Sequence, residues 1–188
     1  MCIRDRFRIT PFVQPPELDA ALAARGYAAF ETTLVQALPL AWAPEVPVPP
    51  AGIALTDLGT DSFVDDVGDL RGSPPPQRAA HREWLEDSLL DRRFVAMHSG
   101  DRVACAGQVA VDGEVAGLFD VVTAEDARGR GHATRLCAAL LAWARGQGAR
   151  TAYLQVGADN AAAVALYRRF GFATLYTYHY RGRPGECR

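Results

Sequence analysis

The hexapeptide Arg128-Gly129-Arg130-Gly131-His132-Ala133 joins an apolar stretch ending near Thr123 to an amphipathic stretch beginning near Gly131. A helix start presents unpaired N–H groups and the positive end of the helix dipole, an arrangement that a diphosphate favours. The glycines let the backbone approach an anion with no Cβ in the way, and successive turn N–H groups can form an anion-binding nest. Arg128 and Arg130 add positive charge. Two other phosphate loops fit worse. A dinucleotide fingerprint needs glycine at position 134, where the chain has Thr134, and a P-loop needs Gly-Lys-Ser/Thr in a sequence that contains no lysine.

Asp120 is the candidate proton acceptor, because it lies inside the apolar run LFDVVT. Either its carboxylate is partly buried and suited to take a proton, or it points outward as a solvated strand residue. Glu114, beside a turn, is a second candidate, and water alone could also carry the proton. His81, His98 and His179 show no ligand spacing, and His132 reads as a surface position of the loop. Cys2, Cys105, Cys137 and Cys187 fit neither a zinc motif nor a disulfide framework. Cys105 and Cys137 sit in apolar stretches as small core residues, without an activating neighbour in sequence. No metal site and no nucleophilic triad is indicated.

These residues need elements to hold them. Residues 7–13 alternate as a strand, 16–25 read as a helix opened by Pro16, and 28–38 return as a strand. A Pro-rich linker, 39–50, is extended and semi-rigid. Residues 51–58 form a strand, 60–72 a short helix and loop, and Pro74-Pro75-Pro76 a break. Residues 77–90 are helical, with Trp84, Leu85 and Leu89 on one face. Strands at 93–98, 103–111 and 115–123, joined by turns at Ser99-Gly100-Asp101 and Asp112-Gly113, make an antiparallel run. A helix over 131–146 places Leu136, Leu140, Trp143 and Ala144 on one face. A strand (151–156), a helix (160–169) and a last strand (173–180) follow.

Within this layout the loop resembles the acyl-CoA signature of the GNAT acyltransferase superfamily, Gln/Arg-x-x-Gly-x-Gly/Ala, carried here by Arg128, Gly131 and Ala133. Its context extends the likeness over residues 51–181: the strand LFDVVT before it, an amphipathic helix after it, then a strand, Asn160, Leu166-Tyr167 and Phe170-Gly171-Phe172. The resemblance implies an α/β fold of α+β type, with a mixed, mostly antiparallel central sheet flanked by helices. It also implies a strand bulge beside a thioester and two adjacent strands splayed into a V, with acetyl-CoA as cosubstrate. Val121, Val122 and Thr123 would supply backbone contacts to the pantetheine arm. Arg128, Gly129, Arg130, Gly131, His132, Ala133 and Thr134 would hold the diphosphate. Tyr167 falls where the family places the acid that protonates the leaving thiolate, or else is a helix-face aromatic packed on the sheet. Asn160 would contact the pantetheine, cap its helix, or both.

The implied function is N-acetyl transfer to a small-molecule, amino-acid or peptide amine by direct attack. The alternative is a non-catalytic acyl-CoA-binding module, and a scaffold role for the Pro-rich stretches is a third reading. The segments 21–27 (ALAARGY) and 166–172 (LYRRFGF) resemble each other, with Gly26 matching Gly171. That match suggests that residues 7–40 close an upstream GNAT-like half of a tandem protein; any amphipathic helix ending in glycine and an aromatic would also match. Residues 1–6 fit no element and read as a non-native start, and 182–188 as a tail.

Composition bounds the remaining choices. Hydrophobic residues make up 49 % and charged residues 22 % of the 188, as in ordinary globular chains. A net charge of −2 gives no reason to propose nucleic acid as a partner. No apolar run reaches the ~20 residues that span a bilayer, and no secretory signal is visible. The cytoplasm of a bacterium is the expected setting, and a homodimer is possible. The acidic residues Asp57, Asp61, Asp65, Asp66 and Asp69 either attract a cationic amine or form a solvated face.

Overall fold

The computed structural model describes residues 6–42 and 53–183. The Pro-rich segment 43–50, most of the unusual start and most of the tail therefore lie outside the described residues. The chain divides into two compact units, one of residues 38–154 and one of residues 1–37 with 155–188.

The larger unit contains β3 (Ile53–Leu58), α2 (Thr60–Arg71), α3 (Pro75–Glu86), β4 (Asp91–Ser99), β5 (Arg102–Asp112), β6 (Val115–Thr123) and α4 (His132–Gly146). It also holds the first part of β7 (Thr151–Gly157). β3 to β6 pair antiparallel in succession, and β7 joins β6 in parallel. β5 is the central strand, buried from Ala104 to Val111 because helices cover both of its faces. On one face Ala106 packs with Phe63, Val64 and Val67 of α2 and Leu85 of α3. On the other, Leu136 of α4 presses against Gly107, where an added Cβ would lie 2.8 Å from the leucine methyl. Cys105 and Cys137 are fully buried in this unit.

The smaller unit holds β1 (Phe7–Ile9), α1 (Leu18–Ala24), nearly all of β2 (Ala28–Pro39), α5 (Ala161–Phe170) and β8 (Ala173–Gly182). β8 pairs antiparallel with both β1 and β2. Across the chain the strands form a mixed, mostly antiparallel arrangement with flanking helices, as expected. The two matched segments share a local geometry. Both helices end in glycine with positive φ, +81° at Gly26 and +93° at Gly171. In both, the next aromatic returns its N–H to a carbonyl five residues back, Tyr27 to Leu22 and Phe172 to Tyr167.

Several boundaries move. β1 stops at Ile9, and α1 starts at Leu18 rather than at Pro16. Residues 60–71 form one full helix. The prolines at 74–76 do not break the chain; Pro74 caps α3 and Pro75 opens it, since a first-turn residue needs no N–H partner. That helix ends at Glu86, so Leu89 leaves the expected apolar face and is fully exposed, while Trp84 is half exposed. In α4, Leu136, Leu140 and Ala144 are buried as expected, with Trp143 partly so.

Candidate functional site

Strand β6 carries an irregularity at its centre. The register with β5 passes from Ala106↔Val122 to Gln108↔Phe119, so Asp120 and Val121 together face Gly107. Two residues opposite one define a β-bulge. Asp120 takes φ +54°, a left-handed conformation that aspartate tolerates better than most side chains. Gly107 accommodates the bulge, because a Cβ there would sit 3.1 Å from the Val121 side chain as well as against Leu136. On its other edge β6 pairs with β7 only through Val115–Gly117. Among the described residues of this unit, the ladder does not continue past Gly117 and Tyr153.

The bulge aims Asp120 into a polar network. Its side chain is 17 % exposed, with Oδ1 2.8 Å from Arg71 Nη1 of α2 and Oδ2 3.2 Å from His81 Nε2 of α3. Gln108 Nε2 donates to Oδ2 at 2.6 Å, and Gln108 Oε1 accepts from Arg92 Nη1 at 2.9 Å. A guanidinium only donates, so Arg92 fixes the orientation of the buried Gln108 amide and turns its NH₂ toward Asp120. Burial pushes the Arg92 guanidinium below its ordinary value, opposed by the negative charge of Asp120. The outward, solvated placement of Asp120 is thus corrected. Glu114 lies at the other end of β6, exposed and 3.0 Å from Arg150.

Beyond Thr123 a short 3-10 turn (Glu125–Ala127) leads into the glycine loop. Gly129 has φ +76° and Gly131 φ +77°, where side-chain-bearing residues are strained. Gly131 is the N-cap of α4 and no side chain caps this helix. The first helical bond from this end is Arg135 N–H to Gly131 O, 3.2 Å, leaving the N–H groups before it outside the helix ladder. Arg128 and Arg130 extend into solvent. Arg135 Nη1 donates to Arg130 O at 3.0 Å and braces the loop. Two buried polar atoms here have no hydrogen-bond partner, Arg135 Nε and His132 Nδ1.

His132 corrects the surface assignment, because its side chain is buried. Burial lowers its proton affinity, and Arg135 and Arg130 lower it further. Ala133 and Thr134 occupy the first turn of α4. A loop of two left-handed glycines, exposed arginines and unpartnered polar atoms suits a diphosphate.

The remaining candidates lie in the smaller unit. Tyr167 is buried in α5, edge-on to Phe172 with centroids 5.8 Å apart. Asn160 Oδ1 accepts from Ala163 N–H at 3.1 Å, so the asparagine caps α5. The acidic residues are largely committed to ion pairs: Asp57 with Arg93, Asp61 and Asp65 with Arg82, and Asp69 with Arg78. Burial pushes the Cys105 thiol up to about 11 and raises Cys137 further, so neither supplies a thiolate near neutrality. No group of residues able to hold a metal is present among the described residues. Among the described residues, no helix is long and apolar enough to cross a membrane.

Sequence reasoning missed His81, Arg71, Gln108, Arg92 and Arg135. Gln108 carried a readable signal, a neutral amide inside the apolar run ACAGQVAV, since a buried amide requires partners. Gly107 beside it carried another, because an isolated glycine in a strand often marks a bulge.

A sequence model of the acetyltransferase (GNAT) family matches residues 57–172. The chain is 32 % identical over 119 residues to the uncharacterized N-acetyltransferase YobR of Bacillus subtilis, covering 63 % of this chain and 48 % of YobR. It is 44 % identical over 88 residues to a mycothiol acetyltransferase of Cellulomonas flavigena, covering 47 % of this chain and 24 % of that protein. The chain therefore spans about half of the first relative and about a quarter of the second. Among solved structures, a GCN5-related N-acetyltransferase of Sphaerobacter thermophilus has a TM-score of 0.76 at 19 % identity, covering 97 % of this chain and 61 % of that one. A tandem GNAT protein from the clavulanic acid biosynthesis pathway has a TM-score of 0.73 at 18 % identity, covering 94 % and 62 %. At such identities the structures establish the shared fold.

Proposed function

Because the chain belongs to the acetyltransferase (GNAT) family, a family of acyltransferases, we propose that it transfers an acetyl group from acetyl-CoA to an amine by direct attack on the thioester. The observation that carries this reading is the loop ahead of α4, with left-handed Gly129 and Gly131, an uncapped helix end and the orphaned His132 Nδ1. The bulge at Asp120 supports it.

In this reading Arg128, Gly129, Arg130, Gly131, His132, Ala133 and Thr134 hold the diphosphate, with Arg135 bracing the loop. The backbone of Val121, Val122 and Thr123 holds the pantetheine arm as an added strand would. One of their N–H groups stabilises the oxyanion that forms as the amine attacks. Tyr167 protonates the departing thiolate, and the amide of Asn160 adds a contact to the pantetheine. Asp120 places negative charge toward the incoming amine. The acceptor is a small-molecule, amino-acid or peptide amine. The shared helix ends at Gly26 and Gly171 support the reading of the β1–α1–β2 segment as the close of a second GNAT-like half.

The test is thiol release from acetyl-CoA across a panel of amines, amino acids and peptides. Amine-dependent release with an acetylated product by mass spectrometry supports the reading. Saturable acetyl-CoA binding with no amine-dependent release would identify a binding module instead.

A further inference from the structure

The Asp120 network ends in an imidazole whose position is set on three sides. Asp120 Oδ2 faces Nε2 at 3.2 Å. The Phe63 ring meets the imidazole edge-on with centroids 6.2 Å apart, and Trp84 stacks on it at 6.4 Å and 27°. Trp84 in turn lies under the guanidinium of Arg92, 4.9 Å from the ring centroid. His81 therefore occupies a built position on α3, 21 % exposed, beside a half-exposed indole.

Asp120 itself is poorly placed to receive a proton. Oδ1 is held by Arg71, and Oδ2 is shared by Gln108 and His81. A carboxylate facing Nε2 favours the tautomer with hydrogen on that atom and leaves the Nδ1 lone pair free of the proton. The carboxylate orients the ring. Asp120 from β6 faces His81 directly, while Arg71 from α2 pairs with the other oxygen of Asp120 and Arg92 from β4 lies on Trp84. Asp120 adjoins Val121–Thr123, the backbone assigned above to the thioester.

We propose that His81 is the proton acceptor for the acceptor ammonium, working through Nδ1 directly or across one water, with Asp120 as its positioning partner. This inference rests on the acetyl-transfer reading. His81 removes one ammonium proton and later passes it to solvent. The freed nitrogen lone pair forms the C–N bond to the thioester carbon. The C–S bond breaks with its electron pair on sulfur, and the thiolate takes a proton from Tyr167. The second proton lost from nitrogen restores Tyr167 through solvent, so one amide, one thiol and one released proton result.

The experiment compares His81→Gln with wild type on two probe amines, benzylamine, which is protonated at neutral pH, and aniline, which is neutral. Thiol release gives the rates, while acetyl-CoA titration and a thermal melt verify binding and folding. The expected result is a loss of about 10²–10⁴ in kcat/KM for benzylamine and little change for aniline. Exogenous imidazole should restore benzylamine turnover in His81→Ala, a readout that a purely structural histidine would not give. An active wild type with equal losses on both amines, or with none, overturns the role of His81 alone. A wild type that binds acetyl-CoA yet acetylates neither these two amines nor any member of the wider panel overturns the transfer reading and this role with it.

Discussion

Helices α4 and α5 begin differently. α5 starts at Asn160, whose side chain accepts from Ala163 N–H at 3.1 Å. α4 starts at Gly131 with φ +77° and no side-chain cap, and buried Nδ1 of His132 and Nε of Arg135 stand nearby without partners. One helix satisfies a first-turn donor from within the chain, while the other leaves its donors beside a concentration of positive charge. A helix start built for stability is expected to look like α5, and one built for an anion like α4. The contrast teaches that stability and ligand affinity should respond to different substitutions at the two ends.

The largest break in that comparison is Gly131→Glu. The variant puts a carboxylate where the diphosphate is proposed, and like-charge contact costs several kcal/mol, enough for at least about a 100-fold loss of CoA affinity. Left-handed φ for a side-chain-bearing residue costs about 1–2 kcal/mol of stability, and the added Cβ, 2.9 Å from Arg135 Nη1, displaces only the end of a flexible side chain, so the protein should stay folded. Tyr167→Phe comes next. Removing the proposed acid should slow thiol release by up to about 10²–10⁴ while acetyl-CoA affinity holds; unchanged turnover removes Tyr167 from the mechanism.

Asn160→Ala should act in the opposite sense to Gly131→Glu. Loss of the cap costs about 0.5–2 kcal/mol, seen as a lower Tm or denaturation midpoint. Asn160→Ser restores a cap without the amide. If stability returns in that variant but CoA affinity stays reduced, the amide contacts the cosubstrate; if both return, Asn160 is a cap alone.

The smallest effect is a pH dependence at His132. Burial first, then Arg135 and Arg130, hold its folded-state pKa below the ordinary value. Above about pH 6.5 the imidazole is neutral folded or unfolded and contributes no difference. As pH falls below that, the unfolded chain takes the proton first, and the native state loses stability until its own lowered pKa is passed. His132→Gln should therefore lose less stability than wild type between about pH 7 and pH 5, and added CoA should shrink the difference because the diphosphate favours the charged ring. Parallel denaturation curves at every pH would remove His132 from the account.

Much of the fold was legible in local pattern. The β4–β5–β6 run follows from its turns at Gly100 and Gly113, and α4 from the spacing of Leu136, Leu140 and Ala144. The glycine loop was legible because its chemistry is contiguous in sequence. The Asp120 network was not, since Arg71, His81, Gln108 and Asp120 come from four elements that only tertiary folding brings together. The bulge further disrupts the strand alternation that would have told on which side Asp120 lies. Leu89 was misplaced for a simpler reason, because apolar spacing alone does not reveal that α3 ends at Glu86.

The most direct test of the account is a calorimetric titration of the protein with acetyl-CoA and with free CoA, repeated on Gly131→Glu. Saturable binding of both ligands to the wild type is expected, with the thioester adding little, and loss of both in a variant whose thermal melt shows that it is folded. Undiminished affinity in Gly131→Glu, or no binding to a folded wild type, would contradict it.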